Sequence, residues 1–339
     1  MNILIVGAGA VGLVYGHHFA NAGHNVTFLV KEKYQSQLEQ EKNEGSVLYY
    51  LNTDKALKKP IRFKQFNVIS QWEQAVDFDV IALAISSTAL RQLPLDKLKP
   101  LLNEKRHKKP STSLLMLQPS DEDFAHLAKT INPEQILQGM ITLISYQTDD
   151  INNGISPAGI AYYLPPLPMP ISAIAATQQG QGSNASRDEV IQLFKQSGIK
   201  AKAVNSALDE SRLISAFFMT FLCALEAANW EFDRLRKSPQ LLRQLSDAQQ
   251  KLLPPKLPAA HSRVMSALQS LLKVMLKLIL KPWFYKALIV ISPKAVPLPL
   301  EAYLKKHFLK VRSQTLLYMR DYQKQSPSNA VAELIALID

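Results

Sequence analysis

Residues 1–34 read MNILIVGAGAVGLVYGHHFANAGHNVTFLVKEKY. Asn2–Val6 is a short apolar run, Gly7–Gly12 is G-x-G-x-x-G, and an apolar helical pattern follows to about Asn21. Gly23 is placed to end that helix, and NVTFLV (25–30) makes a second strand. The order strand, glycine turn, helix, strand is the dinucleotide-binding arrangement. Its glycines allow a tight turn and close approach of backbone to a pyrophosphate, and the helix N-terminus adds N–H donors and a favourable dipole. Gly7, Ala8, Gly9, Ala10, Val11 and Gly12 are therefore the candidate cofactor-binding residues. The bland reading of the same glycines is a turn that only packs helix on strand.

The residue after the second strand selects the nucleotide. A carboxylate there suits the ribose 2′-hydroxyl of NAD, and a cation suits the 2′-phosphate of NADP. Lys31 directly follows NVTFLV, which favours NADP(H), while Glu32 next to it keeps NAD open.

Further apolar, β-branched runs lie at 79–85 (DVIALAI), 113–117 (SLLML) and 141–145 (ITLIS), with helical intervals between several of them. GIAYYLPP (159–166) and MPISAIA (169–175) read as a hairpin-like pair, and IKAKAVN (199–205) as a last short strand. Strands alternating with helices argue for an α/β fold, an N-terminal Rossmann-type doubly wound sheet that is mostly parallel. After Asn205 the pattern turns helical and nearly glycine-free, beginning with LDESRLISAFFMTFLCALEAANW. The expected organisation is a nucleotide-binding domain over 1–204 and an all-α substrate or dimerisation domain over 205–339.

With 339 residues, 47% hydrophobic and 20% charged, the composition is that of a globular protein of two domains. One cysteine, Cys223, excludes an internal disulfide framework and suits a reducing cytoplasm. It sits in an apolar run and reads as core. The N-terminus lacks a positive leader region, and no uncharged apolar run reaches the roughly 18 residues of a membrane span. The net charge of +11 admits nucleic acid, an anionic membrane surface, or an anionic cofactor and substrate. The lysines are scattered through both halves and form no nucleic-acid signature, so nucleic acid is not an expected partner. A homodimer stays open.

The opening GAGAVG, the spacing to the second strand and Lys31 resemble the ketopantoate reductase (2-dehydropantoate 2-reductase) family. DVIALAISSTAL, LLMLQP, QGMITLISYQ, GIAYYLPP and the helical second half follow in that family's order. The resemblance implies an NADPH-dependent oxidoreductase that reduces a ketone between a Rossmann domain and a helical domain. In that family a lysine on the first long helix of the second domain is the general acid, assisted by an asparagine, a late glutamate and a further lysine. Here the further lysine falls at Ser86, the asparagine at Gln118 in LQPSDED, and the general acid at or next to Ser215. Arg212, one turn away, is a poor proton donor because guanidinium does not ionise near neutrality.

Two groups of residues stand as replacements. His307, Lys310, Gln314 and Tyr318 recur at intervals of three and four, so the spacing predicts one helix face. His307 or Lys310 is the candidate catalytic proton donor for a carbonyl oxygen. Ser86, Ser87 and Gln118 follow strands of a parallel sheet, where ligands bind, and Ser86 and Gln118 are candidate cofactor contacts. No metal site is expected. The reading that rivals an oxidoreductase is a non-catalytic NADPH-binding sensor or scaffold.

SRVMSALQSLLKVMLKLILKPWFYKALIVISP (262–293) combines Lys273, Lys277 and Lys281 at four-residue intervals with an otherwise apolar sequence. It reads as an internal or dimer helix with outward lysines, or as a helix on an anionic membrane surface. Pro282 is placed to end or kink it.

Overall fold

The computed structural model describes residues 1–51, 59–103, 112–148, 157–173, 181–253, 280–296 and 298–339, with side chains from 184 onward in the helix that begins at Gln181. Two compact units divide the chain, Met1–Ser211 and Arg212–Asp339.

The first unit begins with β1 (Asn2–Val6), α1 (Ala10–Asn21) and β2 (Asn25–Leu29), then α2 (Gln35–Glu44), β3 (Ser46–Tyr50), β4 (Ile61–Phe63) and β5 (Asn67–Ile69). It continues with β6 (Val80–Leu83), α3 (Ser87–Leu90), α4 (Leu95–Asn103), β7 (Ser113–Met116), α5 (Asp121–Ala128) and β8 (Ile136–Gly139). β9 (Ile144–Gln147), β10 (Ile160–Tyr163), β11 (Met169–Ala173), α6 (Gln181–Gln196) and β12 (Ala201–Ala203) complete it.

The main sheet has the order β12-β11-β8-β7-β6-β1-β2-β5. β5, β2, β1, β6, β7 and β8 run parallel, β11 is antiparallel to β8, and β12 is parallel to β11. Its central strands are apolar on both faces: β6 (VIAL) and β7 (SLLM) are buried throughout. That is the composition a parallel sheet needs when helices cover both sides. Burying each such Leu, Ile or Val contributes about 1.5–3 kcal/mol.

A smaller sheet, β4-β3-β10-β9, packs on α1. It corrects the hairpin-like pairing expected for 159–166 and 169–175, because β10 and β11 belong to different sheets. The cause lies between them in Leu164-Pro165-Pro166-Leu167-Pro168. Three prolines remove N–H donors and hold φ near −65°, so the segment is an extended connector that cannot close a tight hairpin. The expected strand at 141–145 is likewise displaced: β8 ends at Gly139 and β9 starts at Ile144. Strands β3, β4 and β5 were absent from the sequence reading.

The second unit is helical. α7 (Ala207–Ala227) starts in the first unit, where Leu208 joins a core with Leu4, Val6 and Leu83 and the Ala207 N–H donates to Ser172 Oγ (2.9 Å). α8 (Phe232–Lys237), α9 (Pro239–Leu252), α10 (Pro282–Ala295), α11 (Leu300–Lys310), α12 (Arg312–Gln325) and α13 (Asn329–Ala336) follow. Cys223 is fully buried in this core, and desolvation pushes its thiol up to about 12, so it is a packing residue. Pro282 is the first residue of α10, where its missing N–H costs nothing. Lys273 and Lys277 lie outside the described residues.

Two imidazoles sit where the small sheet meets α1. His17 packs edge-on to Phe63 (5.4 Å) and His18 to Tyr162 (5.6 Å), with His18 Nδ1 3.0 Å from the Ser197 carbonyl oxygen. Burial lowers the His17 pKa to about 4, helped by the charge of His18, and burial also lowers His18 against its carbonyl contact. The unfolded chain takes up protons on these rings below about pH 6.5, whereas native His17 resists until about pH 4. Stability should therefore fall as pH drops through that window and level off beneath it. Urea midpoints measured across it should show this slope, and His17→Leu should flatten it.

Candidate dinucleotide-binding site

From β1 the chain moves outward to β2 and β5 on one side, then returns to build β6, β7 and β8 on the other. The carboxyl end of β1 is thus the switch point of the parallel sheet, the place where such sheets bind ligands. Backbone bonds tie it on both sides: Gly7 N–H to the Leu29 carbonyl and Ala84 N–H to the Val6 carbonyl, both 2.9 Å.

Three glycines shape the turn for different reasons. Gly7 has φ +101°, and a Cβ there would lie 2.8 Å from the Ala84 carbonyl oxygen. A Cβ on Gly12 would lie 2.1 Å from the Gly7 carbonyl oxygen, so only glycine lets α1 seat against the turn. At Gly9 a Cβ would meet nothing within 4 Å, leaving open space directly before the helix. Gly9 is also the N-cap of α1, with no side-chain cap and no acidic residue in the first turn. The N-terminal N–H groups and the positive end of the helix dipole face that space, which is the electrostatics a pyrophosphate needs. Ala8, Ala10 and Val11 pack by their side chains against the core, so what they present to a ligand is backbone. Lys31 and Glu32 are exposed just past the end of β2, with Lys31 in extended conformation at the start of a single 3-10 turn.

Ser86 and Gln118 stand at the ends of the neighbouring strands, and both are engaged with the protein itself. Ser86 Oγ accepts from Ala89 N–H (3.2 Å) and meets Thr88 Oγ1 at 2.9 Å. Gln118 is buried, with Nε2 donating to the carbonyls of Leu83 (3.0 Å) and Ile85 (2.6 Å) and Oε1 accepting from Leu117 N–H (3.1 Å). The amide braces the ends of β6 and β7 and has no N–H left for a ligand. Behind it, fully buried Asp123 accepts from Ser87 Oγ and from Arg91 Nε (2.7 Å). Sequence reasoning passed over Asp123 and Arg91. The available signal was Ser120 before three acidic residues, a helix start that brings Asp123 into place.

In the second unit Ser215, at the expected position of a general acid, is buried and bonded to Tyr322 (Oγ to Oη, 2.6 Å). His307 is half-buried, stacked on Tyr303 (5.3 Å) and edge-on to Phe308 (4.8 Å), and Lys310 is exposed. The single face expected for His307, Lys310, Gln314 and Tyr318 is not formed. Val311 (φ −110°, ψ 24°) ends α11 and begins α12, so the first pair and the second pair lie on different helices. Tyr318 is 2% exposed in the core, and Arg312 is drawn to Glu226 (2.6 Å) immediately after the break. Among the described residues no group of three or more His, Cys, Asp or Glu is placed to hold a metal.

Replacing Gln118 by Leu would remove its bonds to the buried Leu83 carbonyl, the part-buried Ile85 carbonyl and the Leu117 N–H. Each unmet group costs about 1–3 kcal/mol, so Gln118→Leu should lower the thermal midpoint by well over what an exposed Gln→Leu change does. Gln118→Asn, one methylene shorter, should recover part of the loss. Calorimetry of the two variants distinguishes this bracing role from a ligand contact.

Residues 3–154 match the family model of Ketopantoate reductase PanE/ApbA. No curated protein matches the sequence. Solved structures do match: a D-mandelate dehydrogenase in complex with NADH and anilino(oxo)acetate aligns at TM-score 0.65 and 14% identity over 99% of this chain and 96% of that one. A 2-dehydropantoate 2-reductase of Geobacter metallireducens GS-15 aligns at 0.58 and 16% identity over 100% and 99%. A PanE/ApbA family ketopantoate reductase of Ralstonia eutropha JMP134 aligns at 0.55 and 16% over 96% and 99%. At these identities the structures establish the fold. Residues 3–154 are thus similar to the ketopantoate reductase family model, and the chain shares the fold of these structures along its length.

Proposed function

We propose that the chain is an NADP(H)-dependent oxidoreductase that transfers hydride between the nicotinamide and the carbonyl carbon of a 2-oxo acid. The observation that carries this reading is the uncapped, acid-free N-terminus of α1 behind Gly9 at the switch point of the sheet. When bound there, the dinucleotide supplies or accepts the hydride. Gly7, Gly9 and Gly12 shape the backbone that holds its pyrophosphate, and the Lys31 ammonium is the counter-charge for a 2′-phosphate. The names of the similar structures support the substrate class, because ketopantoate and the oxidised form of mandelate are both 2-oxo acids. Reduction also needs a proton on the carbonyl oxygen. His307 and Lys310, adjacent turns of α11 in a chain without the family's lysine, are the donors proposed for it.

A second reading is favoured by one observation. Where the family carries its general acid, this chain has Ser215 closed onto Tyr322 inside the core. A protein that binds NADPH without turnover fits that exchange.

Titration with NADPH and, separately, NADH measures the nucleotide site alone. NADPH should bind the more tightly, and Lys31→Ala should remove roughly ten- to a hundredfold of that preference, the worth of one charge-assisted contact. The D-mandelate dehydrogenase complex holds NADH, so equal or tighter binding of NADH here would reassign the cofactor through Glu32. Turnover on a panel of 2-oxo acids then separates the enzyme from the silent binder. If His307 or Lys310 is the donor, its alanine variant should lose roughly a hundred- to ten-thousandfold in rate with NADPH affinity unchanged. Full activity in both variants would remove the assignment.

A further inference from the structure

The net charge of +11 is not shared between the two units. Residues 1–211 hold 20 Lys and Arg against 20 Asp and Glu, whereas residues 212–339 hold 19 against 8. The lysines are scattered through both halves, yet the whole excess belongs to the helical unit. Within it, the sequence from Ala248 to Leu300 contains 8 Lys and Arg and not one acidic residue.

α10 lies in that region, and its outer face is not what a globular surface helix presents. Tyr285 and Ile289 are its buried side. Opposite them Trp283 is 61% exposed, Val290 50% and Ile291 59%. With exposed Ala287 these positions follow i, i+4, i+7 and i+8, one continuous stripe. Lys281 stands at its start, Lys286 at its flank and Lys294 at its end, all exposed. Single exposed apolar residues are ordinary, but three large ones on one stripe of one helix with basic edges are a contact surface.

We infer that this face of α10 docks on an anionic lipid bilayer. An apolar stripe with an interfacial tryptophan and a lysine border is the chemistry of a helix lying in the headgroup layer, apolar side chains down and ammonium groups among the lipid phosphates. The helix lies flat and does not cross. Its 14 residues span roughly 21 Å against about 30 Å of hydrocarbon; no single described helix is long and apolar enough to cross, and α10 reaches that length only together with α11, from which it is bent by 100°. Duplex nucleic acid would use the lysines, but with its bases stacked inside it offers Val290 and Ile291 no hydrocarbon layer to bury in. A second copy docked through the same face would bring like charges together. The inference is independent of the nucleotide site, so its failure and the failure of the oxidoreductase reading are separately visible.

The test is co-sedimentation of the full chain with vesicles of phosphatidylcholine alone and with phosphatidylglycerol added, at low and high salt. The chain should pellet with the anionic vesicles and be released by salt. Lys286→Gln with Lys294→Gln should weaken vesicle affinity roughly thirtyfold, the worth of two lysines at a charged surface. Trp283→Ser with Ile291→Ser should also weaken it while keeping the salt dependence. All four side chains are exposed, and circular dichroism checks that the variants stay folded. Failure to pellet with anionic vesicles, or equal pelleting with neutral ones, overturns the inference. So does preferential binding to duplex DNA, or a dimer in light scattering that Ile291→Asp abolishes.

Discussion

The first unit depends on one close approach, the seating of α1 on the turn that follows β1. A single methyl on Gly12 would place its carbon 2.1 Å from the Gly7 carbonyl oxygen, inside any real contact distance. Glycine there fixes how near the helix start can come to the end of the strand. That nearness in turn sets the N–H groups of the first helical turn at the switch point and leaves Gly9 facing open space. The same helix carries His17 and His18 to the small sheet and Tyr15 and Phe19 to Phe194 of α6. One turn therefore determines both the anion-binding geometry and the packing of the layer behind it.

Around that turn the usual polar chemistry has been redirected into the protein. Gln118 spends its amide on Leu83, Ile85 and Leu117, Ser86 caps α3, and Ser87 with Arg91 satisfies Asp123. Such bonds stiffen the carboxyl ends of β6 and β7, because a buried polar group with all partners met can move only by leaving them unmet. The cost is chemical: the Gln118 amide, with both N–H groups committed, cannot also donate to a substrate. Ser215, closed onto Tyr322, repeats the pattern in the helical unit. Each unit thus commits these polar groups to its own structure, and turnover and nucleotide binding are separate measurements.

Legibility in the sequence followed the range of the interactions. GAGAVG between an apolar strand and an apolar helix is a local signal, and β1, α1, β2 and the parallel sheet could be read from it and from the later apolar runs. GIAYYLPP and MPISAIA look like a hairpin-like pair, although the prolines of LPPLP between them mark a crossing from one sheet to another. The break at Val311 has no proline or glycine to announce it. It is made by distant partners, with Phe308 and Leu316 drawn into the core and Arg312 drawn to Glu226. Ser87 and Asp123 lie 36 residues apart, and no local pattern could pair them. The stripe on α10 was half legible: its composition stood in the sequence, but which apolar residues stay outside is decided by the helices that cover Tyr285 and Ile289.

The division of charge has a consequence for how anions reach the protein. With 20 cationic and 20 anionic side chains, Met1–Ser211 carries no net charge, so its total adds no long-range attraction for an anion. In the proposed site the attraction comes from short-range terms, the dipole at the N-terminus of α1 and the single charge of Lys31, which act within the first turn or a few ångströms. Affinity built this way depends on fit, and salt weakens it only as far as Lys31 contributes. The helical unit has the opposite character, a dense positive field that reaches about 8 Å at physiological ionic strength and does not distinguish among anions. A field of that kind is suited to concentrating a small 2-oxo acid or holding a lipid surface, both of which approach from solvent. Under the proposed function, discrimination among anions rests with the glycine turn and long-range attraction with the helices.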